Sequence, residues 1–176
     1  MFILPDRCRN VLFAQPLAKA PDALIVRKGN PDNIHSYQDI RDKGLTMATG
    51  AGYISVKWAK EVGIPDDKVL QVATAVEIAL AVKVGRAAAG TIDYFGFKGL
   101  VEKDNSVETA SPYTPWGKPG YPSVAFASNE QATVDAFNAA LKDYMGSDEM
   151  LKAVSQYGYT KGHLPGNVTT DELCKG

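Results

Sequence analysis

Between residues 24 and 118, short apolar runs alternate with stretches of helical spacing, and this alternation narrows the possible folds more than any other feature. Ala23-Leu24-Ile25-Val26-Arg27 is a largely apolar run with a β-branched centre, ending in the turn cluster Lys28-Gly29-Asn30-Pro31. Ser36, three residues before Asp39, opens a short helix through Arg41 that Gly44 stops. Leu45 to Ala48 is a strand running into Thr49-Gly50-Ala51-Gly52, and Tyr53 to Val62 carries Ile54, Trp58 and Val62 at helical spacing up to Gly63. After a strand at Val69 to Val72, Thr74 and Glu77 form a capping box for a helix through Val84, with Gly85 at its stop. Gly90 to Asp93 is extended and Tyr94 to Glu102 helical. Strands and helices alternating at these lengths predict an α/β fold with a parallel sheet wrapped in helices.

The flanks have a different texture. Phe2 to Pro16 reads as a buried strand end, a Pro5-Asp6 turn holding Arg7, and a second extended run over Asn10 to Phe13. Residues 111–122 hold four prolines and read as loop. Ser123 to Ala127 is then a strand, and Ser128 with Gln131 a second capping box for a helix bearing Val134, Phe137, Leu141 and Tyr144 on one face. Ser147 caps another helix that ends at Gly158, and a last helical turn spans Asp171 to Cys174. The expected organisation is one complete αβα lobe at residues 24–118, with residues 1–23 and 119–176 supplying a partial second lobe and the crossings to it.

Composition excludes several functions. A formal net charge of −1 provides no basic field for nucleic acid or an anionic membrane. No run of 18 apolar residues is present, and Pro5, Asp6, Arg7, Arg9 and Gln15 do not fit a signal peptide. Cys8 and Cys174 allow either free thiols or a disulfide that would fasten the tail beside the Arg7 turn. His35 and His163 are isolated and no CxxC is present, so neither metal nor cofactor is expected. No GxSxG elbow exists, neither cysteine stands beside a base, and Asp66-Asp67 and Asp148-Glu149 sit in turns or first helical turns. An enzyme is therefore not expected.

Four positions carry recognition chemistry. Arg7 offers a fixed fork of donors suited to a carboxylate, against the plainer role of a solvated turn charge. Phe2 is either a ring face for a cation or core. Gly50, Ala51 and Gly52 join a strand to a helix, where backbone N–H groups hold anions, or they form a bare turn. Asp93 is a helix N-cap, a carboxylate for a cationic group, or both.

The run from Phe2 through Arg7 to Phe13-Ala14-Gln15-Pro16 resembles the hinge segment of the polar amino acid family of ABC-transporter substrate-binding proteins. Leu24 to Asn30, Tyr37 to Ile40 before Gly44, the Gly50 turn, Gly85-Arg86 with Asp93, and Ser123 to Phe126 match the same family in order and spacing. The resemblance implies a type II periplasmic-binding-protein-like fold, the chain matching the later two-thirds and thus N-terminally truncated. It implies that two lobes close on a small zwitterion. Arg7 would grip its carboxylate with help from Gly50, Ala51 and Gly52, and Asp93 would face the cationic end. The Gly50 turn lacks the hydroxyl residues of many members, and Ala88 replaces an acid, which implies backbone-only contact and an altered ligand. Within the family, Phe2 and the cysteine pair are most similar to the ectoine/hydroxyectoine-binding proteins, with Phe2 as one wall of an aromatic box. The implied partners are such a solute and a membrane permease, and the implied location is the periplasm; apolar surface left where strands are missing would favour self-association through the incomplete lobe. The same fold also serves ligand-sensing domains of regulators and, less often, dehydratases or lyases; upstream sequence separates the sensors.

Overall fold

A computed structural model describes residues 1–102 and 104–176. In chain order the elements are α1 (Pro5–Cys8), β1 (Leu12–Phe13), β2 (Asp22–Arg27), α2 (Tyr37–Asp42), β3 (Met47–Gly50), α3 (Ile54–Val62), β4 (Val69–Val72), α4 (Ala75–Lys83), β5 (Ala89–Asp93), α5 (Tyr94–Val101), β6 (Val107–Thr109), β7 (Ala125–Phe126), α6 (Gln131–Tyr144), α7 (Asp148–Ser155) and α8 (Thr170–Lys175). They form two compact units: a central one, Pro21–Lys118, and a terminal one made of Met1–Ala20 and Pro119–Gly176.

The central unit is a five-stranded sheet in the order β4-β3-β5-β2-β6. β3 runs parallel to β4 and β5, as expected, but β2 is antiparallel to both β5 and β6. The wholly parallel sheet anticipated from the alternation is therefore a mixed one. The physical reason lies in the connections. β3-α3-β4, β4-α4-β5 and β5-α5-β6 are each crossovers, which return the chain in the same direction. β2 precedes them and slots between β5 and β6 in the opposite sense.

Alternation along β2 splits the core into two layers. Leu24 and Val26 join Tyr37 and Ile40 of α2 and Ala59 and Val62 of α3 on one face. Ala23 and Ile25 join Ile78, Ala81 and Val82 of α4 on the other. Gly90 sets the spacing of that second layer, because a Cβ there would stand 2.5 Å from Ile78 Cγ2. The local signals hold: Ser36 accepts the Asp39 N–H, the Thr74/Glu77 capping box is complete, and Gly63 ends α3 with φ +92°.

The terminal unit has less sheet. β1 and β7 pair antiparallel over Leu12↔Phe126 and Phe13↔Ala125, with isolated bridges at Phe2↔Pro122 and Ala20↔Gly120. Arg7 lies in the helical turn α1, not in an open turn. The capping box expected from Ser128 is absent: α6 starts at Gln131 with Glu130 before it. The Glu130 carboxylate accepts the Ala127 N–H at 2.9 Å, satisfying that donor from three residues downstream. Ser147 does cap α7, and Thr169 with Glu172 forms a capping box at α8. Cys8 and Cys174 are disulfide-bonded and tie α8 to α1.

Candidate functional site

The expected recognition residues form two groups, one in each unit. In the terminal unit, Pro5 starts α1 where its fixed φ suits the first helical position, and Arg7 follows on that turn. The half-buried Arg7 side chain folds back so that Nη1 donates to the Phe2 carbonyl oxygen at 3.0 Å. Phe2 is itself anchored by its bridge to Pro122, and its ring lies against Gly120, where a Cβ would come within 2.7 Å of it. Arg7 and Phe2 are thus one cluster, held by backbone on both sides.

In the central unit, β3 and β5 are parallel neighbours, with Met47 opposite Ala89 and Ala48 opposite Gly90. Their carboxyl ends, Gly50 and Asp93, therefore share one edge of the sheet, the edge at which open α/β sheets hold ligands. Gly50 is a glycine for a steric reason: a Cβ would stand 2.6 Å from the Tyr53 ring, so an aromatic covers this turn. Gly52 has φ +73°, the left-handed region. The Ala51 N–H donates to Val72 O at 2.9 Å, extending the β3–β4 ladder, so that amide is already used within the protein. Tyr53 supplies no side-chain cap to α3, whose first-turn amides face the same edge. Asp93 caps α5, Oδ1 accepting the Gly96 N–H at 3.1 Å; Oδ2 has no protein partner among the described residues. The N-cap and the ligand-facing carboxylate are compatible on one side chain.

Beneath this edge lies a polar network that the sequence did not disclose. Asp22, first residue of β2, stands opposite Asp93 in the ladder. Its Oδ2 accepts the Tyr113 hydroxyl and its Oδ1 accepts Thr91 Oγ1 at 3.2 Å. Thr91 in turn shares a 2.7 Å hydrogen bond with the buried Tyr37 hydroxyl. Thr49, just before Gly50, bonds Ser55 and donates to Thr91 O at 3.4 Å. Burial, partly offset by the Tyr113 and Thr91 hydroxyls, pushes the Asp22 carboxyl from 3.8 up to about 6. Burial and the Asp22 charge push the Tyr113 phenol far up, so it stays a donor. The signal for Asp22 was available: it shares the parity of Leu24 and Val26, which puts it on a buried face. Among the described residues no His/Cys/Asp/Glu group could hold a metal ion, and no helix is long and apolar enough to cross a membrane.

The fold is that of the type II periplasmic binding proteins. The crystal structure of EhuB in complex with hydroxyectoine superposes with a TM-score of 0.83 and 30% identity, covering 98% of this chain and 68% of that one. The substrate-binding protein of an amino acid ABC transporter does so with a TM-score of 0.77 and 19% identity, over 89% of this chain and 67% of its own. Residues 1–160 match the bacterial extracellular solute-binding proteins, family 3, and the chain belongs to that family. A probable amino-acid ABC transporter periplasmic-binding protein of Sinorhizobium fredii is 31% identical over 99% of this chain, which spans 60% of that relative. These relatives are solute-binding proteins, not enzymes.

Proposed function

We propose that this chain is part of the solute-capturing component of an ABC importer, taking a small zwitterion of the ectoine, hydroxyectoine or amino acid kind. The observation that carries this reading is the likeness to hydroxyectoine-bound EhuB, at 30% identity over 98% of the chain. The geometry supports it. Arg7 supplies a fork for a carboxylate, with Phe2 beside it as a ring for a delocalised cation. Gly50, Gly52 and the first turn of α3 supply backbone dipoles, and Asp93 keeps one carboxylate oxygen for a positive group. In this reading the two compact units belong to the two lobes, the protein works in the periplasm, and its partner is a membrane permease.

Thermal unfolding with ectoine, hydroxyectoine, glutamine and arginine tests the reading. A solute at about 100 times its Kd stabilises by about 2.7 kcal/mol, a rise of several degrees. Ectoine or hydroxyectoine is expected to produce it, Arg7→Ala to abolish it and Asp93→Asn to reduce it. No rise with any of the four overturns the assignment.

A further inference from the structure

Two observations in the central unit bear on how Asp93 is held. The outgoing segment, residues 111–118, is laced to the α2–α3 face at several points: His35 Nδ1 donates to Pro112 O at 2.8 Å, Thr114 N donates to His35 O at 2.9 Å, and Gly117 lies under the Trp58 ring. Tyr113, between these anchors, is tied to the first residue of β2 through its hydroxyl. The second observation is the ladder: Asp22 is opposite Asp93, and Tyr94 N donates to Pro21 O at 2.9 Å immediately beyond. Residues directly opposite on antiparallel strands project to the same face, so Asp22 and Asp93 occupy paired positions where β2 meets the end of β5.

We propose that Asp22 is a positioning residue for Asp93: through Thr91 on one side and Tyr113 on the other, it sets how the carboxyl end of β5 is held. This rests on the reading of Asp93 as a ligand carboxylate. The hydroxyls give the arrangement a direction. With Asp22 ionised, Tyr113 and Thr91 both donate to it, and Tyr37 donates to Thr91. A protonated Asp22 carries one O–H that needs an acceptor, so one of those two hydrogen bonds reverses. Reversal at Thr91 propagates to Tyr37; reversal at Tyr113 loosens the outgoing segment.

The groups around Asp22 are few. Tyr37 comes from α2, Thr91 and Asp93 from β5, Tyr113 from the outgoing segment, and His35 stands behind that segment. Among the described residues no lysine or arginine pairs with Asp22. Burial therefore governs its titration, near pH 6.

The test follows backbone amide resonances of the 15N-labelled chain from pH 5 to 7.5. The Gly96 amide, bonded to Asp93, is expected to titrate with a midpoint near 6 in the unmodified chain and to be flat in Asp22→Asn. Tyr113→Phe, which removes a donor to the ionised form, is expected to move the midpoint upward, and it serves alone if Asp22→Asn does not fold. A Gly96 amide that is flat in the unmodified chain, titrates equally in Asp22→Asn, or keeps its midpoint in Tyr113→Phe overturns the proposal. No added solute is needed, so failure of the binding reading shows separately in the thermal-shift experiment.

Discussion

β2 in the central unit lies between two other strands and is at most 3% exposed from Ala23 to Val26. β1 in the terminal unit pairs with β7 over two residues. The central unit thus buries both faces of a continuous sheet, whereas the terminal unit gathers Ile3, Phe13, Val134, Met150 and Tyr159 into a scattered interior. It compensates with long-range polar and covalent ties. Ser123 Oγ and Thr170 Oγ1 both donate to Ala14 O, at 2.9 and 2.7 Å, Tyr159 donates to Leu17 O at 2.9 Å, and the disulfide joins α1 to α8. Two routes to order therefore coexist in one chain, hydrophobic layering and cross-linking, and they fail under different insults.

Reduction is the sharpest way to separate them. Closing a loop of 166 residues stabilises by about 5 kcal/mol in the chain-entropy model. Cys174→Ser or a reductant is expected to lower the stability of the terminal unit by that order, seen as a lower unfolding midpoint. Calorimetry should show the central unit's transition unmoved; a common shift of both would abolish the distinction. Next in size, Leu24→Ala removes a fully buried side chain from the central layer and is expected to cost about 2–5 kcal/mol in urea unfolding. Amide exchange in α6 and α8 should stay unchanged.

A smaller effect is pH-dependent. The Asp22 carboxyl is raised from 3.8 to about 6, so the folded state holds a proton that the unfolded chain releases. The resulting stability is fully present below about pH 4 and is lost as pH rises through 6, on the order of 2–3 kcal/mol. The central unit is expected to show this slope and Asp22→Asn to lack it; a rise in stability over the same interval would refute the sign. Smallest is Thr74→Ala, which removes the α4 capping box at a cost of about 1 kcal/mol, read from urea midpoints.

What the sequence disclosed was mostly local. Ser36, Thr74 and Ser147 act within three residues, and their caps stand where composition placed them. Ser128 misled because α6 begins only at Gln131, with Glu130 at its N-cap position, so Ser128 stands outside the helix. The antiparallel sense of β2, the strand β6 and the shift of β3 to Met47–Gly50 were hidden because pairing between distant segments decides them. The site divides the same way. The Gly50 turn and Asp93 are legible as strand ends, each beside a helix start. Tyr113 lies 91 residues from Asp22, and nothing in the neighbourhood of either names the other. Tyr53 over Gly50 was within reach, three residues away, but a ring above a glycine has no sequence pattern of its own.

The bond between Cys8 and Cys174 makes a covalent ring of all but the two ends of the chain. A protease that nicks any exposed loop within that ring, Lys28 to Pro31 or residues 111–118 among them, opens the circle without releasing a fragment. Cleaved protein would keep its mass until a thiol is added, and gels run with and without reductant would tell the two states apart.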